Sequence, residues 1–189
     1  MNNAYARKKQ PEQVRRQLLD CAATLAVEIG LSALTIQAVA DAASVTKGGL
    51  FHHFPSKEKL IEGVFVDLLE KLDAEIDTLL ARDPVRCGRF TRAYVDSAMR
   101  LMESKAPSPW GALSISMITD ANLRRLWSDW LRDRLIRHAD TDSDPALEIV
   151  RYAADGVWLA DLTDVDKTLR MDRGALRDTL IDMTQRDRP

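Results

Sequence analysis

Apolar residues along the chain return every three or four positions, and nowhere do they alternate for long. The series Val14, Leu18, Cys21, Leu25, Ile29 and the longer series Leu60, Val64, Leu68, Leu72, Ile76, Leu79 each draw one stripe along a helix. Proline supplies the punctuation, because its fixed φ suits the first helical turn, where its missing N–H would have had no partner anyway. Pro11, Pro84, Pro109 and Pro145 each open such a stripe, the last three behind the capping residues Asp83, Ser108 and Asp144. The pattern predicts an all-α chain of nine helices, over 11–29, 36–43, 47–53, 57–82, 84–105, 109–118, 121–138, 145–163 and 173–185. At 1.5 Å per residue the fourth would be about 40 Å long, enough to connect one end of a small molecule to the other.

The chain has 189 residues, 46 % hydrophobic and 30 % charged, the size of one large domain or two small ones. The longest mostly apolar run, Cys21 to Val27, is far shorter than the roughly 20 residues a bilayer needs, and the first ten residues hold no signal-peptide core. No membrane partner and a cytoplasmic location are therefore expected. Cys21 and Cys87 stand too far apart for a disulfide framework and read as packing residues. Net charge is −2, but it is unevenly distributed. Residues 1–60 hold eight Lys and Arg against five Asp and Glu, a balance of +3, while the rest hold 19 against 24, a balance of −5. Only the N-terminal third is suited to a polyanion.

Thr35 precedes a two-turn apolar pattern, Ile36, Val39, Ala40, Ala43; Ser44-Val45 breaks it, and Thr46 caps another short helix. Two short helices joined by a tight turn follow from this spacing. The second turns Leu50 and Phe51 inward and leaves Lys47, Gly48, Gly49 and His53 toward solvent at its ends. Each glycine costs about 1 kcal/mol relative to alanine in a helix, so their presence asks for a reason such as close approach to a partner's backbone.

The stretch LTIQAVADAASVTKGGLFHHFPSKEKLI resembles the DNA-binding region of the tetracycline-repressor (TetR) family of bacterial transcription regulators. The resemblance runs from about Val14 into the fourth helix and ends its recognition helix in Leu-aromatic-x-His-Phe-x-Ser-Lys. It implies a helix-turn-helix domain over residues 1–55, with a basic arm at Arg7, Lys8 and Lys9, and a helical effector-binding and dimerisation domain over 56–189. It implies that Gln37, Thr46, Lys47 and Gly48 face base edges, with Gly49, Phe51 and His52 on the same short helix, and that His53 and Lys57 meet phosphates. Residue chemistry agrees: lysine suits guanine O6 and N7, glutamine suits adenine, and a helix N-terminus at Ser56-Lys57 offers free amides to a phosphate. Phe51 stands where the family usually has tyrosine, so one hydroxyl contact is missing.

Past residue 80 only the helix count resembles the family, and the residues speak for themselves. Leu68, Tyr94, Met102, Trp110, Met117, Trp127 and Trp158 suit an adaptable cavity for a small apolar or amphipathic effector, with Tyr94, Ser114, Ser116 and Asp155 as polar handles. The helix over 145–163 is apolar on more than one face. Its small residues Ala153, Gly156 and Ala160, with Val157 and with Leu176 and Leu180 from the last helix, fit a four-helix interface between two copies of the chain. Such a homodimer would read a palindromic double-stranded operator, its half-sites about one helical turn apart.

An enzyme is the weaker alternative. His52 and His53, adjacent on a helix, diverge by about 100° and cannot share a metal, and no nucleophile elbow or glycine-rich phosphate loop is present. Asp140, Asp142 and Asp144 read as caps and solubility, and no catalytic residue, metal or cofactor is assigned. A regulator that works without ligand, or that ligand tightens onto DNA, remains open at this level.

Overall fold

The structure, a computed structural model, describes residues 3–103, 108–162 and 171–185, with side chains described over 11–101, 108–161 and 171–185. Among the described residues there are ten helices and no strand: α1 Asn3–Glu28, α2 Ile36–Ala42, α3 Lys47–His53, α4 Lys57–Arg82, α5 Arg89–Glu103, α6 Pro109–Thr119, α7 Ala121–Arg137, α8 Ala139–Asp142, α9 Pro145–Leu162 and α10 Arg173–Gln185. The all-α expectation holds, with one four-residue helix, α8, added to the nine.

Local chemistry explains most of the starts. The hydroxyls of Thr35, Thr46, Ser56 and Ser108 accept from the amides of Ala38 (3.1 Å), Gly49 (3.0 Å), Lys59 (3.2 Å) and Gly111 (3.2 Å), each such cap contributing about 1 kcal/mol. Pro109 and Pro145 open α6 and α9 as the sequence implies. The other two prolines behave differently. Pro11 lies inside α1, which begins at Asn3, because Ala4, Ala6, Arg7, Lys8, Lys9 and Gln10 are all strong helix formers and carry the helix upstream. Pro84 opens no helix: the Asp83 carboxylate accepts from the Val85 amide at 2.9 Å, and Arg92 donates to Asp83, Val85 O and Cys87 O, which fixes 83–88 as a loop. Gly88 closes that loop at φ +72°, and a Cβ there would lie 3.1 Å from the Arg92 guanidinium.

The turn between α2 and α3 ends α2 in a left-handed residue. Ser44 has φ +54°; its amide donates to Asp41 O at 3.0 Å, and that of Val45 to Ala40 O at 2.9 Å. These two bonds satisfy the last carbonyls of α2 in the arrangement that glycine usually serves. Ser44→Gly is therefore expected to raise stability by up to about 1 kcal/mol, and Ser44→Val to lower it by at least that much; urea denaturation midpoints of both variants give the check.

The described residues fall into two compact units. One comprises Met1–Glu70 and Pro107–Trp127, and the other Lys71–Ala106 and Ser128–Pro189. Within the first unit α6 packs on α1 despite their separation in sequence. The first unit closes over Leu18, Leu34, Val39, Leu50, Leu60, Phe65 and Leu113, all fully buried. Phe54 wedges against α4 at Gly63, where a Cβ would fall 2.7 Å from its ring. Arg16 of α1 ties to Asp67 of α4, as well as to Asp20.

In the second unit α5, α9 and α10 pack pairwise around Phe90, Val95, Met99, Val150 and Ala154. Two networks of polar groups are buried with them. Asp142, at the end of α8, accepts from the Phe90 and Thr91 amides (3.3 and 2.8 Å) and from the hydroxyls of Thr91 and Thr141 (both 2.7 Å), so it caps α5 from another part of the chain. Arg151 of α9 donates to the same Thr91 hydroxyl at 2.6 Å. Arg134 of α7, only 1 % exposed, donates to Asp73 (2.5 Å), Asp77 (2.6 Å) and Asp73 O (3.0 Å) on α4. The Trp130 indole N–H also reaches Asp73, at 2.8 Å.

Candidate nucleic-acid interface

At 100° per residue, α3 presents Lys47, Gly48, Phe51 and His52 on one side and Leu50 on the other. Leu50 is fully buried, Gly49 and His53 are half-buried, and the other four are exposed. Phe51, expected inward beside Leu50, lies instead on the open side, because at one turn from Lys47 it shares the lysine's side of the helix. Gly48 lies near the middle of the exposed side, between the Lys47–Phe51 edge and His52. A Cβ built on it meets no atom within 4 Å, so nothing in the fold asks for glycine there. Filling that trough with a methyl removes the helical penalty of glycine, about 1 kcal/mol, and takes away the closest approach of the α3 backbone to a partner. Gly48→Ala is thus expected to raise the urea midpoint while weakening binding to duplex DNA; a variant that gains both stability and DNA affinity would contradict this role.

The remaining candidates split by what already engages them. Thr46 accepts the Gly49 amide and keeps its own O–H to donate. Gly49 sits so close to that hydroxyl, 3.3 Å from its built Cβ, that a side chain would disturb the cap. Gln37 is exposed on α2 with its amide nitrogen on Asp41 at 2.8 Å, leaving its carbonyl oxygen outward. Lys57 donates to Ser32 O at 3.3 Å, so one of its three N–H groups is committed to the turn before α2. Burial, helped by His52 and Arg15, pushes the His53 imidazole below its ordinary value. The His52 and His53 rings meet edge to face at 5.6 Å. Arg15, which the sequence shows only as one charge among eight, also lies over the Phe54 ring at 4.8 Å, an exposed cation beside the candidate phosphate contacts. Arg7, Lys8 and Lys9 belong to α1 rather than to an extended arm, and their side chains lie outside the described residues.

The candidate effector residues are distributed over both units. Leu68, Trp110, Met117 and Trp127 belong to the first, where Trp110 stacks on Phe65 at 5.8 Å and meets Trp127 at 6.0 Å. Tyr94 and Trp158 belong to the second, and the Met102 side chain lies outside the described residues. The Tyr94 hydroxyl donates to Asp155 at 2.6 Å, so two of the expected polar handles are partnered to each other. Burial raises the pKa of both, that of Tyr94 well above the ordinary phenol. Ser114 turns back on its own helix, to Gly111 O.

Along α9 an apolar stripe faces solvent: Ile149 (60 % exposed), Tyr152 (64 %), Gly156 and Leu159 (48 %), at spacings of three and four. The half-buried Ala153, Val157 and Ala160 flank it. Leu176 is half-buried, and Leu180, 4 % exposed, fills the core of its own unit.

Comparison with known proteins gives these surfaces a relative. Residues 18–64 match the family described as bacterial regulatory proteins, tetR family, and residues 88–185 match the tetracyclin repressor-like C-terminal domain. The transcriptional repressor KstR2 of Mycobacterium tuberculosis is 40 % identical over 166 residues, 77 % of this chain and 78 % of that protein. KstR2 of Mycolicibacterium smegmatis is 29 % identical over 165 residues, 80 % and 79 % of the two. Among solved structures, a TetR-family regulator from Streptomyces coelicolor shares the fold at TM-score 0.66 and 17 % identity, covering 98 % of this chain and 93 % of that one. EbrR, a multidrug binding protein solved with malachite green, does so at TM-score 0.69 and 16 %, over 90 % and 97 %. Both ends of the chain match the same family and the M. tuberculosis relative matches through most of the length, so the chain belongs to the tetracycline-repressor (TetR) family, as a helix-turn-helix transcription regulator rather than an enzyme.

Proposed function

We propose that the chain is a cytoplasmic, ligand-responsive repressor that binds a palindromic operator as a homodimer and is released by a small apolar or amphipathic effector. Residues 1–55 then read DNA, and 56–189 bind effector and partner. The observation that carries the DNA-binding part is the exposed side of α3, where a cation, an open glycine trough and two rings follow one another. Relatives named as transcriptional repressors support repression as the outcome of DNA binding, and the multidrug binding protein EbrR supports an adaptable effector site. No described helix is long and apolar enough to cross a membrane, in keeping with a partner in solution.

The switch would run through α4. Its first residue, Lys57, stands by the turn that precedes α2, and its 26 residues continue without a break. An effector that displaces this helix moves the Lys57 end with it, and the coupling is reciprocal: whatever free energy effector takes from DNA binding, DNA takes from effector binding.

Selection of bound fragments from random duplex DNA tests the reading and returns the half-site spacing. On the selected duplex log affinity should fall with log salt by about 0.9 for each neutralised phosphate. Lys57→Ala is expected to flatten that slope, whereas Lys47→Ala is expected to blur sequence preference by about 1–3 kcal/mol, since a base contact discriminates and a phosphate contact does not. Recovery of no common duplex would end the proposal, and equal loss on selected and random DNA for both variants would end this division of roles.

A further inference from the structure

We infer that Phe51 is a positioning residue, which holds the Lys47 ammonium over its ring and thereby gives the exposed side of α3 its preference for a guanine. The inference rests on the reading of α3 as the recognition helix. Its starting point is the unequal treatment of three lysines. Lys57 is bonded to Ser32 O and Lys59 to Glu62 at 2.6 Å, but no oxygen engages Lys47. Its Nζ lies instead 5.9 Å from the centroid of the Phe51 ring, one turn further along the same side.

A lysine on an exposed first turn has a flexible four-carbon stem and a strongly hydrated head, poor qualities for reading one base edge. An oxygen partner would restrain it and also occupy the donors that guanine O6 and N7 need. A ring face restrains it without taking a donor, because the attraction is between charge and quadrupole. The neighbours leave no other support: Gly48 and Gly49 carry no side chain, and Leu50 points into the core. This also explains why a phenyl ring remains 40 % exposed on a surface meant for water and phosphate.

The test is a double-mutant cycle on the ratio of affinities for the selected duplex and for random duplex. Phe51→Leu should lower that ratio about two- to fivefold, the range of an exposed cation–ring contact, and Phe51→Tyr and Phe51→Trp should restore it. Lys47→Ala should lower it by more, and in that background Phe51→Leu should change it no further. Equal factors in both backgrounds would show that Phe51 reads DNA by itself and would overturn the proposal. In the free protein, the Lys47 ε-methylene protons should be shifted upfield by the ring and lose the shift in Phe51→Leu; an unchanged shift would also overturn it. A wild-type protein that prefers no duplex defeats the recognition-helix reading and this inference together. A wild type that discriminates, with additive losses, defeats this inference alone.

Discussion

Replacing Asp73 and Asp77 together by alanine is expected to destabilise the second unit by about 3–5 kcal/mol, far more than replacing Arg134 by methionine. The asymmetry follows from where the charges lie. Arg134 is 1 % exposed and has the carboxylates of Asp73 and Asp77 to balance its charge, whereas the side chains of Asp73 and Asp77 are 34 % and 57 % exposed and can be hydrated. Removing the acids strands a guanidinium out of water. Removing the arginine leaves two carboxylates that water still reaches, one of them held by Trp130, and a flexible thioether fills much of the vacated volume. Arg134→Met is therefore expected to stay within about 2 kcal/mol of the parent protein. Urea midpoints for the two variants decide the matter, and equal losses would mean that the cost lies in packing rather than in the buried charge.

The second large effect is expected at the outward stripe of α9. Gly156→Arg places a long cation between Tyr152 and Leu159, yet the built Cβ meets no atom of its own protomer, and arginine is the better helix former by about 1 kcal/mol. The folded protomer should be no less stable, so any loss reports on association. If two copies meet through this stripe, sedimentation should show monomers. Affinity for a palindrome should then fall about 10²–10⁴-fold, because the second half-site is no longer delivered at a high effective concentration. A variant that stays dimeric and keeps its operator affinity would place the contact on another face.

Much of this was legible in the residues. α3 and α4 have the bounds that the capping residues Thr46 and Ser56 and the apolar spacing assign to them. What escaped was decided by contacts distant in sequence. Pro84 follows a good cap, but Arg92 draws the loop carbonyls onto itself and delays α5 to Arg89. Arg134 of α7 is buried although it is charged. The two aspartates that balance its charge lie on α4, beyond any local pattern. The tyrosine and aspartate read as separate handles, Tyr94 and Asp155, proved to satisfy each other, a pairing that periodicity cannot express. On α3 the lysine and the two glycines were legible because their chemistry is local, whereas Phe51, an apolar residue next to Leu50, reads as core and is 40 % exposed on the side of Lys47.

The cap that Asp142 places on α5 also sets an order of events at the ribosome. Phe90 and Asp142 are 52 positions apart, so the first amides of α5 have no protein acceptor from this carboxylate until α8 has left the exit tunnel. At about 5–20 residues per second, that interval is roughly 3–10 s. α1 to α3 are complete well before then, and α2 and α3 carry their own threonine caps, while α5 must wait with frayed amides. Nascent chains of this protein therefore pass through a stage in which the DNA-reading helices can form and the framework that α5 shares with α9 and α10 cannot.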